Sequence, residues 1–267
     1  MRILIFAISI AALGAQGVRA EKVASQIDLS SFPAETVDNV IVPTPSEVFN
    51  VLDKLGSPNW KGELRESLGQ NSGNRAQVAL LLGTVIAEGF IAVEAEDVES
   101  VKEIGREVLV LADAINVRKA VLSRTKSIVD KAEARDWAAV RVELDGAQQD
   151  VRKAMIELND DDLAQLVSLG GWIRGTEVLT SIVSKDYKPQ RAELLHQPEL
   201  LNYFDRRIDG MSPRLKSSAL VERIRAMLAE IKPLIQEKGG RNISLESVEK
   251  IHTMTSDVVV SIKATEA

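Results

Sequence analysis

The chain has 267 residues, 33 basic and 39 acidic side chains for a formal charge of −6, 4% aromatic residues and no cysteine. Without cysteine there is no disulfide, no thiolate metal ligand, no thiol nucleophile and no lipid attachment through an N-terminal Cys. A moderately acidic balance gives no long-range attraction to nucleic acid or anionic lipid, and so few aromatics leave no row of stacking platforms for bases or sugars.

Arg2 precedes an apolar run from Ile3 to Leu13, followed by Gly14, Ala15, Gly17 and Val18-Arg19-Ala20. One charge, a short apolar run and then small residues is the order of a secretory signal peptide, and about eleven residues are too few to cross a bilayer. Cleavage is expected before Glu21, with Ala15-Gln16-Gly17 as a second site, and the mature protein is expected in the periplasm or outside the cell. Losing residues 1–20 leaves 31 basic and 39 acidic groups, a charge of −8, in about 247 residues. That length supports one large core or two small ones. No integral membrane segment is expected after cleavage: Val78 to Val93 comes nearest, and Glu88 interrupts it.

Residues 21–43 read as an extended N-terminal segment, broken by Ser30, Ser31, Pro33 and Pro43. A helix should start at Thr44-Pro45-Ser46-Glu47, where Thr44 caps, Pro45 takes the first helical position and Glu47 reaches back to the cap. Val48, Phe49, Val51, Leu52 and Leu55 form its apolar face, and Gly56 stops it. A short helix is expected from Trp60 to Leu68, ending at Gly69. Longer helices follow near 75–94, 98–114, 117–133, 136–158, 161–184, 190–206, 213–237 and 244–263. Asp97, Asp136 and Asn159-Asp160-Asp161-Asp162 suit helix N-termini, where acidic side chains offset the positive end of the dipole. Pro198 and Pro233 should break or kink what precedes them. Val258-Val259-Val260 reads as the end of an amphipathic helix. The fold class is therefore all-α, a multi-helix bundle or a short helical solenoid within a helical domain over 44–267.

Two helices resemble each other. Leu82-Gly83 aligns with Leu169-Gly170 and Ile86 with Ile173, all at an offset of 87. This suggests two related four-helix halves, 75–158 and 161–263. Interior glycines cost about 0.5–1 kcal/mol each relative to alanine. Gly83, Gly89, Gly170, Gly171 and Gly175 therefore predict that these two helices cross each other, or a neighbour, at short distance, with Gly171 and Gly175, four apart, on one face.

Candidate chemistry is sparse. The only histidines, His196 and His252, fall in different predicted elements, so no metal site and no cofactor is expected. There is no Gly-x-Ser-x-Gly, no Gly-rich phosphate loop and no Gly-x-Gly-x-x-Gly. Asp160-Asp161-Asp162 lacks the spacing and the glycine of a calcium loop. Trp60, Trp137 and Trp172 suit helix packing, and the basic stretch Arg206 to Arg225 suits a solvated face. Glu88 is the informative charge, because an ionised group in an apolar run is costly to bury alone. Arg174 is one residue from its aligned position, so Glu88 is expected to pair with it, to line a partly wet cavity with Trp172 and Glu177, or to reach solvent from one edge of its helix; Glu88, Trp172, Arg174 and Glu177 are the candidate ligand-binding residues. The expected function is binding or scaffolding without catalysis, with an unknown protein or small molecule as partner. Two alternatives stand beside it: a small-molecule binder with a cavity at those four residues, and a carboxylate-dependent enzyme.

Overall fold

The computed structural model describes residues 35–37, 40–42, 45–65, 74–236 and 243–264. The expected signal segment, the Thr44 cap, the Gly69 stop and Gly239-Gly240 lie outside them. The described chain is all-α apart from one small ribbon. Within the segment expected to be extended, β1 (Glu35–Val37) pairs antiparallel with β2 (Val40–Val42), Glu35 opposite Val42. Thr36, Val37 and Val40 to Val42 are β-branched, and two runs of them this close form a ladder that neither could form alone.

Helices follow: α1 (Pro45–Asp53), α2 (Arg75–Glu94), α3 (Val98–Ala114), α4 (Arg118–Glu133), α5 (Trp137–Glu157), α6 (Asp161–Lys185), α7 (Pro189–Ala192), α8 (Pro198–Gly210), α9 (Pro213–Lys216), α10 (Ala219–Ile235) and α11 (Leu245–Lys263). Three expected helices are corrected. The segment from Trp60 forms one 3-10 turn, Trp60–Glu63, after which Leu64 is extended. The helix expected over 190–206 is interrupted: α7 and a 3-10 turn come first, and α8 begins afresh at Pro198, which has no N–H to continue a preceding helix. The helix expected over 213–237 divides at Ser217-Ser218, where Ser218 caps α10 by accepting from the Val221 N–H. Pro233 lies inside α10, which runs on to Ile235.

Helices α2 to α6 are joined by one turn used four times. Each turn carries a residue with positive φ just past the helix end: Glu96 (50°), Asn116 (67°), Arg135 (56°) and Asn159 (53°). The next N–H then reaches back to the last helical turn, Asp97 to Ala92 O at 3.0 Å, Val117 to Ala112 O at 2.8 Å, Asp136 to Lys131 O at 2.9 Å and Asp160 to Met155 O at 3.0 Å. This is the Schellman closure. In three of the four turns the donor is an aspartate. Asp97 and Asp136 go on to cap the next helix, accepting from the Ser100 and Ala139 N–H groups. Asp160 instead holds Arg75 at the start of α2.

So tight a turn makes neighbouring helices antiparallel. With α3, α4 and α5 between them, α2 and α6 run in the same direction, and their contacts follow in order: Arg75 with Asp160, Gly83 with Val167, Glu88 with Arg174. At the crossing the backbones touch. A methyl group on Gly83 would collide with the Val167 carbonyl oxygen, and one on Gly170 with the Leu80 carbonyl oxygen. Gly170 therefore makes the approach expected of Gly171 and Gly175. Gly171 follows at ordinary contact distance, and nothing lies near Gly175. The connections after the two helices differ, αL turns after α2 and proline-initiated segments after α6.

Among the described helices α2 is long and apolar enough to cross a membrane, yet it is buried in the bundle against α3, α6 and α11. Its length up to Ile91 belongs to the main core. A second, smaller core gathers Phe49, Ala92, Val93, Val101, Ala132 and Val140 under α1.

Candidate functional site

The α2–α6 crossing places Glu88 and Arg174 about one helical turn beyond Gly83 and Gly170. Glu88 is 5% exposed, Arg174 2% and Glu177 3%. Arg174 binds Glu88 in bidentate fashion, Nε to Oε1 at 2.7 Å and Nη2 to Oε2 at 3.2 Å. Its Nη1 donates to Glu177 Oε2 at 3.1 Å, and Nη2 donates to the Glu63 carbonyl at 2.5 Å. Arg65, from the chain after the 3-10 turn, closes the other side. It donates through Nη2 to Glu177 Oε1 and to Ser256 Oγ, and through its backbone N–H to Glu88 Oε2. Two guanidiniums and two carboxylates thus alternate, and their formal charges cancel. Desolvating Glu88, Arg174 and Glu177 is expensive, and their hydrogen bonds to one another, to the Glu63 carbonyl and to a partly exposed Arg65 compensate.

Lys263, near the end of α11, is the fifth charge in the vicinity. Burial pushes its ammonium below the usual lysine range. Arg65 and Arg174 add repulsion, and Glu88 and Glu177 oppose the shift.

Of the four residues expected to form the site, Glu88, Arg174 and Glu177 come together and Trp172 does not join them. Trp172 packs on Phe204 with ring centroids 5.6 Å apart, and its Nε1 donates to Gln197 Oε1 at 3.3 Å. The void beside it, lined by Thr176, Leu179, Leu195 and Ile231 among others, measures about 10 Å³, space for one water. The sequence reading missed Arg65 and Glu63. A clue was available in the charges: two acids and one arginine on α2 and α6 need a second cation to be buried together.

The histidines are apart. His252 Nδ1 lies 3.1 Å from the Glu177 carbonyl oxygen and 3.3 Å from Thr180 Oγ1, while His196 Nδ1 lies 2.8 Å from the Ile235 carbonyl oxygen. Among the described residues no cluster of three His, Asp or Glu side chains could hold a metal. An open cleft of about 320 Å³ lies at the α2–α3 turn, bordered by Lys61, Glu96, Asp97, Glu99 and Arg135. The Lys61 ammonium, 2.9 Å from Asp97, and the Ser100 N–H hold the Asp97 carboxyl below its ordinary range. No family model, no curated protein and no solved structure matches the chain.

Proposed function

We propose that the chain is an exported, non-catalytic helical protein that works by binding or scaffolding through its outer surface, in the periplasm or outside the cell. The observation that carries this reading is the closure of the buried charge network. Glu88, Arg174 and Glu177 direct their hydrogen bonds at one another, at Arg65 and at the Glu63 carbonyl, and the void at Trp172 has room for a single water. A small-molecule ligand at Glu88, Trp172, Arg174 and Glu177 would require Arg65 to withdraw. A reaction run by these carboxylates would require the same opening, because each is engaged by arginine. Apolar side chains left in solvent offer surface for a partner and fall mainly on α3 to α5, with Val110 55% and Val142 69% exposed.

The test is the native mass of the protein recovered from the exported fraction of cells making the full chain. The expected species begins at Glu21 and carries no small molecule. A protein that stays in the cytoplasm with residues 1–20 attached overturns export. A stoichiometric small molecule that is lost in the Arg174→Gln variant overturns the non-ligand reading.

A further inference from the structure

Away from the central network, α1 is held to the bundle by a second arrangement of charges. Phe49 and Asp53 lie four residues apart on one face of α1. Arg141 of α5 answers both. Its guanidinium carbon is 4.5 Å from the centre of the Phe49 ring, and its Nη1 and Nη2 reach Asp53 at 3.2 and 3.4 Å. The Phe49 ring in turn meets Phe90 of α2 edge-on at 5.2 Å. The same arginine takes Glu94, in the last turn of α2, through Nη2 at 2.6 Å. Two carboxylates therefore share one cation, and they are unequal. The Asp53 side chain is 52% exposed and Glu94 only 8%. At the adjoining turn Glu96 adds a further like charge, Lys61 of the 3-10 turn is taken by Asp97, and Arg135 borders the same cleft.

We infer that α1 is a proton-controlled strap, seated on α2 and α5 most firmly when the buried Glu94 carboxyl, which shares Arg141 with Asp53, holds a proton, and loosened when that proton leaves. Burial pushes Glu94 up to about 7; Arg141 opposes the rise and Asp53 adds to it. Lifting α1 would return Glu94 to water and carry Asp53 away, so its carboxyl would fall back toward 4.5. The seated state then binds the proton more tightly. Seating is strongest below about 4.5 and weakens as pH rises through 7. The far end of the strap stays fixed: Leu55 is buried in the main core, its carbonyl accepts from Arg191 Nη2 at 3.0 Å, and Gly56 turns the chain with φ of 77°. The segment that moves is α1.

Hydrogen exchange of the full mature chain at pH 6 and pH 8, corrected for intrinsic rates, tests this. The amides of α1 should lose protection about tenfold at pH 8 while those of α6 keep theirs. Glu94→Gln, which mimics the protonated form, should show equal protection of α1 at both pH values. Asp53→Asn, at an exposed position, should move the midpoint to lower pH. Equal protection of wild-type α1 at both pH values overturns the inference. So does a pH dependence that survives Glu94→Gln, a midpoint unmoved by Asp53→Asn, or a loss of protection that α6 shares.

Discussion

Gly83 and Gly170 make the same contact from opposite sides of one helix crossing. Gly83 lies against the carbonyl of Val167 and Gly170 against that of Leu80, and both the glycines and their carbonyl partners are 87 residues apart in the chain. Backbone cannot yield as a side-chain tip can. Gly83→Ala and Gly170→Ala should each lower stability by about 2–3 kcal/mol, the upper part of the range for overpacking, despite the better helix propensity of alanine. Gly175→Ala meets nothing within contact distance on an exposed face of α6 and should raise stability by about 0.5–1 kcal/mol. Urea midpoints followed by circular dichroism give both signs. Tolerance of Gly83→Ala would show that the helices do not touch there.

The repeated αL turns make a second prediction. A side chain in the left-handed region costs roughly 1–2 kcal/mol, less for asparagine, which enters it more readily. Arg135 occupies that region with φ of 56° and Asn116 with φ of 67°. Arg135→Gly should therefore stabilise the protein by about 0.5–1 kcal/mol and Asn116→Gly by less. Thermal unfolding of the two variants beside wild type measures the difference, and a lower midpoint for Arg135→Gly would contradict the turn assignment.

Lys263 supplies a prediction with a pH sign. Its ammonium is depressed by burial and by Arg65 and Arg174, so the folded state carries a penalty at neutral pH that fades as the pH rises toward 10.5, the ordinary lysine value. Lys263→Met should raise stability at pH 7 by less than about 1 kcal/mol, since the half-buried group is still screened by water. The gain should shrink by pH 10. A gain that grows with pH would mean that Lys263 is held by the carboxylates instead.

Much of the helical layout was legible from capping chemistry. Asp97 and Asp136 mark the starts of α3 and α5 because a short carboxylate can accept from the first free N–H groups, and the structure shows both bonds. The mid-helix glycines announced that α2 and α6 approach each other or a neighbour closely, although periodicity alone could not choose the partner or say that Gly170 rather than Gly171 points inward. Charge and alignment made the Glu88–Arg174 pair one expectation beside a wet cavity and a solvent-facing Glu88. Arg65 was not, because it comes from a short segment after Trp60 with no periodic pattern, and long-range closure leaves no local mark. The single-turn helices α7 and α9 were likewise absorbed into longer predicted ones: proline and serine at their edges signal a break, but not how far the chain travels before helix resumes. Trp172 was drawn into the site by proximity in sequence to Arg174, and two residues on a helix turn a side chain to the opposite side.

The bidentate Glu88–Arg174 pair is where the account is most exposed to test. A closed structural network predicts two different unfolding results. Arg174→Met alone strands Glu88 and Glu177 with only Arg65 between them and should cost about 3–5 kcal/mol, whereas Glu88→Met with Arg174→Met leaves the Arg65–Glu177 pair intact and should lie within about 1–2 kcal/mol of wild type. Equilibrium urea unfolding of the two variants is the measurement. If Arg174→Met alone costs less than about 1 kcal/mol, the carboxylates reach water readily, the network opens, and the case for a protein that works only through its outer surface fails.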